Sequence, residues 1–222
     1  MCVLAENLIL NKIIMQASEK VNVLCQPTRS KKSRRRAGGI FMGKKIAVIT
    51  GSPRKNGNSF AMTDAFIKEA EARGHSVIRF DANSLNVGGC RACENCFKSG
   101  KACAFDDDFN SIAPIVLEAD TVVYTMPVYW YSIPAKIKAV IDKMFPFGME
   151  HENIAGKGCA LICCCAEHDI SVMDGVRFSI ERTATLLQWH MVGEVLIPGV
   201  QNPGDIEKTD GCKQAASLAE RI

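Results

Sequence analysis

The chain has 222 residues, nearly half of them apolar, enough to fill the core of one domain. No run approaches the roughly 18 uncharged apolar residues that a membrane span needs, so no membrane partner is expected. The net charge of +3 is unevenly placed: residues 1–41 carry eight Lys/Arg against two Glu, which leaves −3 for residues 42–222. A mildly acidic body gives no electrostatic case for nucleic acid. Eleven cysteines would suit a disulfide scaffold, but Glu6, Asn7, Asn11 and Lys12 break up any secretory signal. Free thiols in a reducing cytoplasm are the expectation.

Residues 1–41 end in the charge run SKKSRRRAGG and show no apolar periodicity. A basic tail at residues 28–36 for nucleic acid or an acidic membrane surface is one reading, and a disordered leader another. A third is that Gly38–Gly39 can be encoded by a GGAGG ribosome-binding sequence just ahead of Met42. Synthesis would then start at Met42, with residues 1–41 an untranslated leader and 42–222 the folded domain.

Lys45–Thr50 is a short apolar run expected to form a buried strand. It breaks at Gly51-Ser52-Pro53, and a helical pattern starts near Ser59. A strand that feeds a Gly/Ser/Asn-rich loop opening a helix is a generic anion cradle. The loop lacks the GK[ST] of a Walker A motif and the GxGxxG of a dinucleotide fingerprint. What remains is Ser52, Arg54, Asn56, Asn58 and Ser59 around Gly51 and Gly57. Short donors and one cation suit a terminal phosphomonoester, although an ordinary βα turn shares the composition.

Ser59–Arg73 has helical spacing at Ala61, Met62, Ala65, Phe66 and Ala70, closed by Gly74. Ser76–Asp81 reads as the second strand, with His75 solvated in the turn before it. Residues 82–105 form a loop too long to be a plain connection. Its cysteine-rich part, 88–105, holds Cys90, Cys93, Cys96 and Cys103 in the spacing C-x2-C-x2-C-x6-C. Such a triplet can aim three sulfurs at one centre, with the fourth closing the cage. A [4Fe–4S] cluster, redox or structural thiols, and zinc all remain open.

Asp106-Asp107-Asp108 is expected in the first turn of a helix, where acids suit the dipole. That helix would run to about Ala119, with a kink or restart at Pro114. Thr121–Met126 is a β-branched run typical of a buried parallel strand. Pro127-Val128-Tyr129-Trp130-Tyr131 follows, an aromatic loop at the strand's C-terminal edge, suited to walling a flat ring such as isoalloxazine. Pro134 falls in the first turn of the next helix. Lys157–Ala166 is the fourth strand, with Cys163, Cys164 and Cys165 as small buried hydrophobes. Glu167-His168-Asp169 lies at that strand's end, with His168 either near a ligand or solvated. Asp174–Gln188 reads as a helix, Val195–Ile197 as the centre of a fifth strand, and 204–222 as a final amphipathic helix.

Five strands alternating with helices indicate a doubly wound parallel α/β sheet, and ligand loops after strands one and three give it the order 2-1-3-4-5. That order brings the loops after strands one and three together at the switch point, where flavodoxin holds FMN. The stretches KIAVITGSPRKNGNSF and PVYWYSIPAKIKAVIDK resemble the phosphate loop and flavin-contacting segment of the NADPH-dependent FMN reductase and iron–sulfur flavoprotein family. The resemblance spans about residues 44–220 and implies FMN, with NAD(P)H as co-substrate. It also implies a homodimer or homotetramer, and favours a cluster on the four cysteines. The expected function is an FMN-containing reductase passing electrons to a flavin, quinone or similar small-molecule acceptor. The alternative is an iron–sulfur electron carrier serving a redox protein. No catalytic side chain is assigned.

Overall fold

The computed structural model describes residues 43–150 and 154–222; the expected leader, residues 1–41, lies outside them. Strand β1 (Lys45–Thr50) leads through the glycine-rich loop into helix α1 (Asn58–Ala72) and then β2 (Ser76–Asp81). After the long loop come α2 (Phe109–Glu118), β3 (Thr121–Pro127), α3 (Ala135–Asp142) and the short α4 (Phe147–Glu150). The chain closes with β4 (Gly158–Cys164), α5 (Asp174–Leu186), β5 (His190–Ile197) and α6 (Gly211–Leu218). The strands form one sheet in the order β2-β1-β3-β4-β5, every pair parallel.

Strand alternation sorts the core into two layers. Ala47, Ile49, Val122, Tyr124, Leu161 and Cys163 face the layer of α2, α3 and α5, whereas Ile46, Val48, Val123, Ile162 and Cys164 face α1 and α6. Because the central strands are covered on both faces, they read as unbroken apolar runs rather than alternating ones. Lys157 closes α2: its buried ammonium donates to the carbonyls of Leu117 (2.7 Å) and Ala119 (2.6 Å), acceptors the helix end leaves free.

Four expectations are corrected. Helix α2 runs through Pro114 without a restart. The final amphipathic stretch is three pieces, 3-10 turns at Asp205–Lys208 and Ala219–Arg221 flanking α6, because Thr209 is extended and its Oγ1 caps Gly211 N–H at 3.1 Å. Asp107 and Asp108 lie ahead of the helix, and their carboxylates accept from Gly88 N (3.1 Å) and Asn86 N (2.7 Å). They anchor the cysteine-rich loop in addition to facing the helix start.

His75 is the fourth: it is buried, not solvated, and its Nδ1 accepts from Lys44 N at 3.1 Å. Burial, with Lys44 and Arg73 nearby, holds its pKa below the usual value. The unfolded chain therefore takes up this proton first as pH falls. The contribution is intact above the ordinary histidine pKa of about 6.5 and shrinks as pH drops through it toward the folded value. Urea unfolding at pH 7.5 and 5.5 should show a larger loss for wild type than for His75→Gln.

Candidate functional site

The C-terminal ends of β1, β3 and β4 border a crevice of about 290 Å³. One side is the loop after β1, contributing Ser52, Arg54, Gly57, Asn58 and Ser59. The other is Pro127, Val128 and Tyr129, the first residues of the aromatic loop. The two stretches singled out from sequence therefore meet in one place.

The loop after β1 presents hydrogen-bond donors to the crevice. Gly57 is the N-cap of α1 and offers no side chain to the first-turn amides, so those donors face the loop without an internal cap. A Cβ at Gly57 would lie 3.0 Å from the Arg54 carbonyl oxygen, so a side chain there would push the turn open by a few tenths of an ångström. Ser52 Oγ accepts from Arg54 N at 3.2 Å, which keeps the hydroxyl proton available to a ligand. Asn83, not identified in the sequence, braces the loop by donating to the Gly51 carbonyl at 2.8 Å. Arg54 and Asn56 are exposed, whereas Ser52, Asn58 and Ser59 are buried. The Asn58 side chain is already engaged: Nδ2 donates to Asn202 O (2.9 Å) and Oδ1 accepts from Ile206 N (3.2 Å). It ties the loop after β5 to the crevice, which leaves its backbone amide as the group free of those two bonds.

The aromatic side is a tight turn. Tyr129 and Ser132 exchange both N–H···O bonds at 3.0 Å, and Trp130 and Tyr131 between them have φ of +47° and +59°. These are the signs of a two-residue hairpin turn of the I′ kind, usually made from Asn and Gly. Tyr129 lines the crevice, while Trp130 is 93 % exposed and Tyr131 projects from the same tip.

The crevice floor adds residues that sequence reading passed over: Cys164, Cys165, Ala166, Val200, Gln201 and Pro203. The Cys164 thiol donates to Ser59 Oγ at 3.7 Å. Burial pushes its pKa up to about 11, so it stays protonated. Only the alternation of side chains along β4 could have hinted that a strand-end cysteine reaches the site. His168 lies beside Gly199, where an added Cβ would be 2.7 Å from its Nδ1, and does not line the crevice.

The second group of interest is the four-cysteine loop. Cys90 and Cys93 are exposed, Cys96 and Cys103 half-buried, and all four are free thiols. A turn in which Phe97 N donates to Lys101 O (3.0 Å) and Gly100 N to Phe97 O (3.0 Å) folds Cys96 back toward Cys103. Burial raises the Cys96 pKa, and the charges of Cys103, Cys93 and Cys90 raise it further, which places all four thiols in one neighbourhood. Among the described residues no three Cys, His or carboxylate side chains close on a single metal ion. The donor set is all sulfur, which suits an iron–sulfur cluster as it does zinc.

Comparison with known proteins shows the family. Residues 44–178 match the family model described as NADPH-dependent FMN reductase. The chain belongs to the NADPH-dependent FMN reductase family. An iron–sulfur flavoprotein of Archaeoglobus fulgidus is 38 % identical over 104 residues, covering 47 % of this chain and 47 % of the relative. One of Methanosarcina thermophila is 33 % identical over 99 residues, 45 % of this chain and 51 % of the relative. The chain thus spans about half the length of these curated relatives. An FMN-dependent NADH-azoreductase of Bacillus anthracis, solved in complex with FMN, superposes with a TM-score of 0.61. It is 14 % identical and covers 80 % of this chain and 98 % of its own. At that identity the likeness shows the flavodoxin-like fold shared within this family.

Proposed function

We propose that the chain is an FMN-containing oxidoreductase that passes electrons from NAD(P)H to a flavin, quinone or similar acceptor. The observation that carries it is the meeting of an anion cradle and the Pro127–Tyr129 wall in one crevice at the switch point of the sheet. Ser52, Arg54, Asn56, Ser59 and the first-turn amides, Asn58 included, would hold the phosphate. Pro127, Val128 and Tyr129 would face the ring, with Trp130 and Tyr131 at its outer rim. Bound FMN supplies two-electron exchange with a nicotinamide and one- or two-electron exchange with an acceptor. This chain's residues orient the ring and neutralise the phosphate, and the proposal assigns no catalytic side chain.

The test is a titration of flavin-free protein with FMN and with riboflavin, followed by NADPH oxidation with added acceptors. Charge-assisted hydrogen bonds of about 1.5–3 kcal/mol each predict FMN binding at least tenfold tighter than riboflavin. Equal affinity for the two would remove the phosphate from the assignment.

A second reading is favoured by the grouped thiols of Cys90, Cys93, Cys96 and Cys103, and by relatives named as iron–sulfur flavoproteins. In it the chain carries a [4Fe–4S] cluster beside FMN and passes electrons to a protein partner. Iron and sulfide assays on anaerobically purified protein, with the rate of NADPH consumption, separate the two. Both readings place the protein in the cytoplasm as a homodimer or homotetramer. Among the described residues no helix is long and apolar enough to cross a membrane.

A further inference from the structure

Lys143 stands where helix α3 meets the cysteine-rich loop. It is the residue that caps α3 at its C-terminus, and it is 5 % exposed. Its ammonium is bonded to the Asp107 carboxylate and lies 3.5 Å from Cys103 Sγ. Asp107 is in turn fixed by Phe109 N (3.1 Å, to Oδ1) and Gly88 N (3.1 Å, to Oδ2). Cys103 is fixed too, its backbone N–H donating to Asn110 Oδ1 at 2.8 Å.

A buried Lys–Asp pair gains little over well-packed apolar side chains, so the pair by itself does not account for a cation here. Its third neighbour does. The ion pair presents its positive end to one sulfur, and that sulfur belongs to the four-cysteine group. The helix that carries Lys143 begins just after the aromatic loop, about 12 Å away at 1.5 Å per residue. One rigid element therefore links the FMN crevice to the cysteine loop.

We propose that Lys143 is a positioning residue for the cysteine loop, donating an N–H···S bond to the Cys103 thiolate and raising the reduction potential of an iron–sulfur cluster bound there. The proposal rests on the iron–sulfur reading of Cys90, Cys93, Cys96 and Cys103. Net charge, hydrogen bonds to sulfur and exposure set the potential of such a cluster. Reduction adds one electron and one negative charge to the cluster, and a fixed ammonium beside a ligand sulfur favours that state. Asp107 tempers the effect without cancelling it, since the ammonium is the charged group that bonds the sulfur. Among the four ligands Cys103 is the one in contact with this cation, which makes it the point where the protein sets the cluster's electronics.

The test uses the full chain, reconstituted anaerobically with iron and sulfide, as wild type, Lys143→Met, Lys143→Arg and Asp107→Asn. Iron and sulfide content is measured first, then the midpoint potential by a titration followed by electron paramagnetic resonance. At a fixed poise Lys143→Met should raise the oxidised-to-reduced ratio at least tenfold, equivalent to about 59 mV downward for one electron. Lys143→Arg should stay near wild type. Should Lys143→Met lose its fold because Asp107 is left buried and unpaired, Asp107→Asn still decides, because removing the anion should shift the ratio the opposite way. Clusters that titrate with wild type in Lys143→Met, or an Asp107→Asn shift toward the oxidised form, overturn the role of Lys143 and leave the iron–sulfur reading standing. Wild-type protein that takes up neither iron nor sulfide overturns both.

Discussion

Asn58→Leu is expected to cost about 1–3 kcal/mol of stability and to weaken FMN binding at least tenfold, although its side chain is not assigned to the ligand. The buried amide of Asn58 bonds the carbonyl of Asn202 and the N–H of Ile206. Leucine leaves the buried Ile206 N–H unpaired, whereas the Asn202 carbonyl keeps its bond from Asp205 N at 3.1 Å; one buried unsatisfied group costs about 1–3 kcal/mol. The segment released is the loop after β5, which supplies Val200, Gln201 and Pro203 to the crevice floor. The loop's own bonds, Gln201 N (3.2 Å) and Asn202 N (2.7 Å) to Asp205 Oδ2, fold it locally but do not attach it to α1. Urea unfolding should show a lower midpoint at an unchanged slope, because the surface exposed on unfolding is the same. FMN titration of the same variant reads the second effect. If stability stays at the wild-type level while FMN affinity falls, the side chain serves the phosphate directly and the loop-tethering account fails.

Asn58 also shows what the sequence could and could not disclose. Its place in a Gly/Ser/Asn-rich loop after a strand marks an anion cradle, and that loop lines the crevice. Its side-chain partners lie 144 and 148 residues further along the chain, and no local pattern carries that information. The strands were readable for the opposite reason. Buried central strands must be apolar along their whole length, so Val122, Val123 and Tyr124 announce β3 without reference to anything distant. Sheet order followed from which loops looked chemical, and the observed order agrees. His75 was misjudged because polarity suggests solvent and Asp107 because acids suit a helix's first turn, and only the folded chain brings Lys44 N to one and Gly88 N to the other. Cys164 and Cys165 were correctly read as buried, but burial beneath a ligand crevice and burial in a core are identical in a sequence. The aromatic loop was legible as composition and opaque as conformation. Two consecutive left-handed residues are foreseen when they are Asn and Gly, not when they are Trp and Tyr.

That turn carries the second large expectation: Gly175→Ala should destabilise the protein although it replaces a helical glycine with the best helix former. Propensity alone would stabilise α5 by about 0.5–1 kcal/mol. Contact decides otherwise, since a Cβ at Gly175 would sit 2.3 Å from the carbonyl oxygen of Tyr131. That oxygen is backbone, at the second left-handed residue of the turn, and no rotamer can clear it. Either α5 retreats from the sheet or the turn moves, and overpacking of this kind costs about 1–3 kcal/mol. For a chain of this size each kcal/mol lowers Tm by roughly 2–4 °C, so a fall of several degrees is expected where propensity predicts a rise. The turn is the more yielding partner, held by one pair of bonds between Tyr129 and Ser132. Tyr129 belongs to that pair and lines the crevice, so the displacement should reach the site and weaken FMN binding about tenfold, near 1.4 kcal/mol. Combining Gly175→Ala with Trp130→Asn and Tyr131→Gly supplies residues that adopt φ > 0 readily and should recover part of the stability loss. A variant that loses thermal stability yet binds FMN as wild type does would show that the turn and the crevice move independently, and Tyr129 would leave the ring-binding wall.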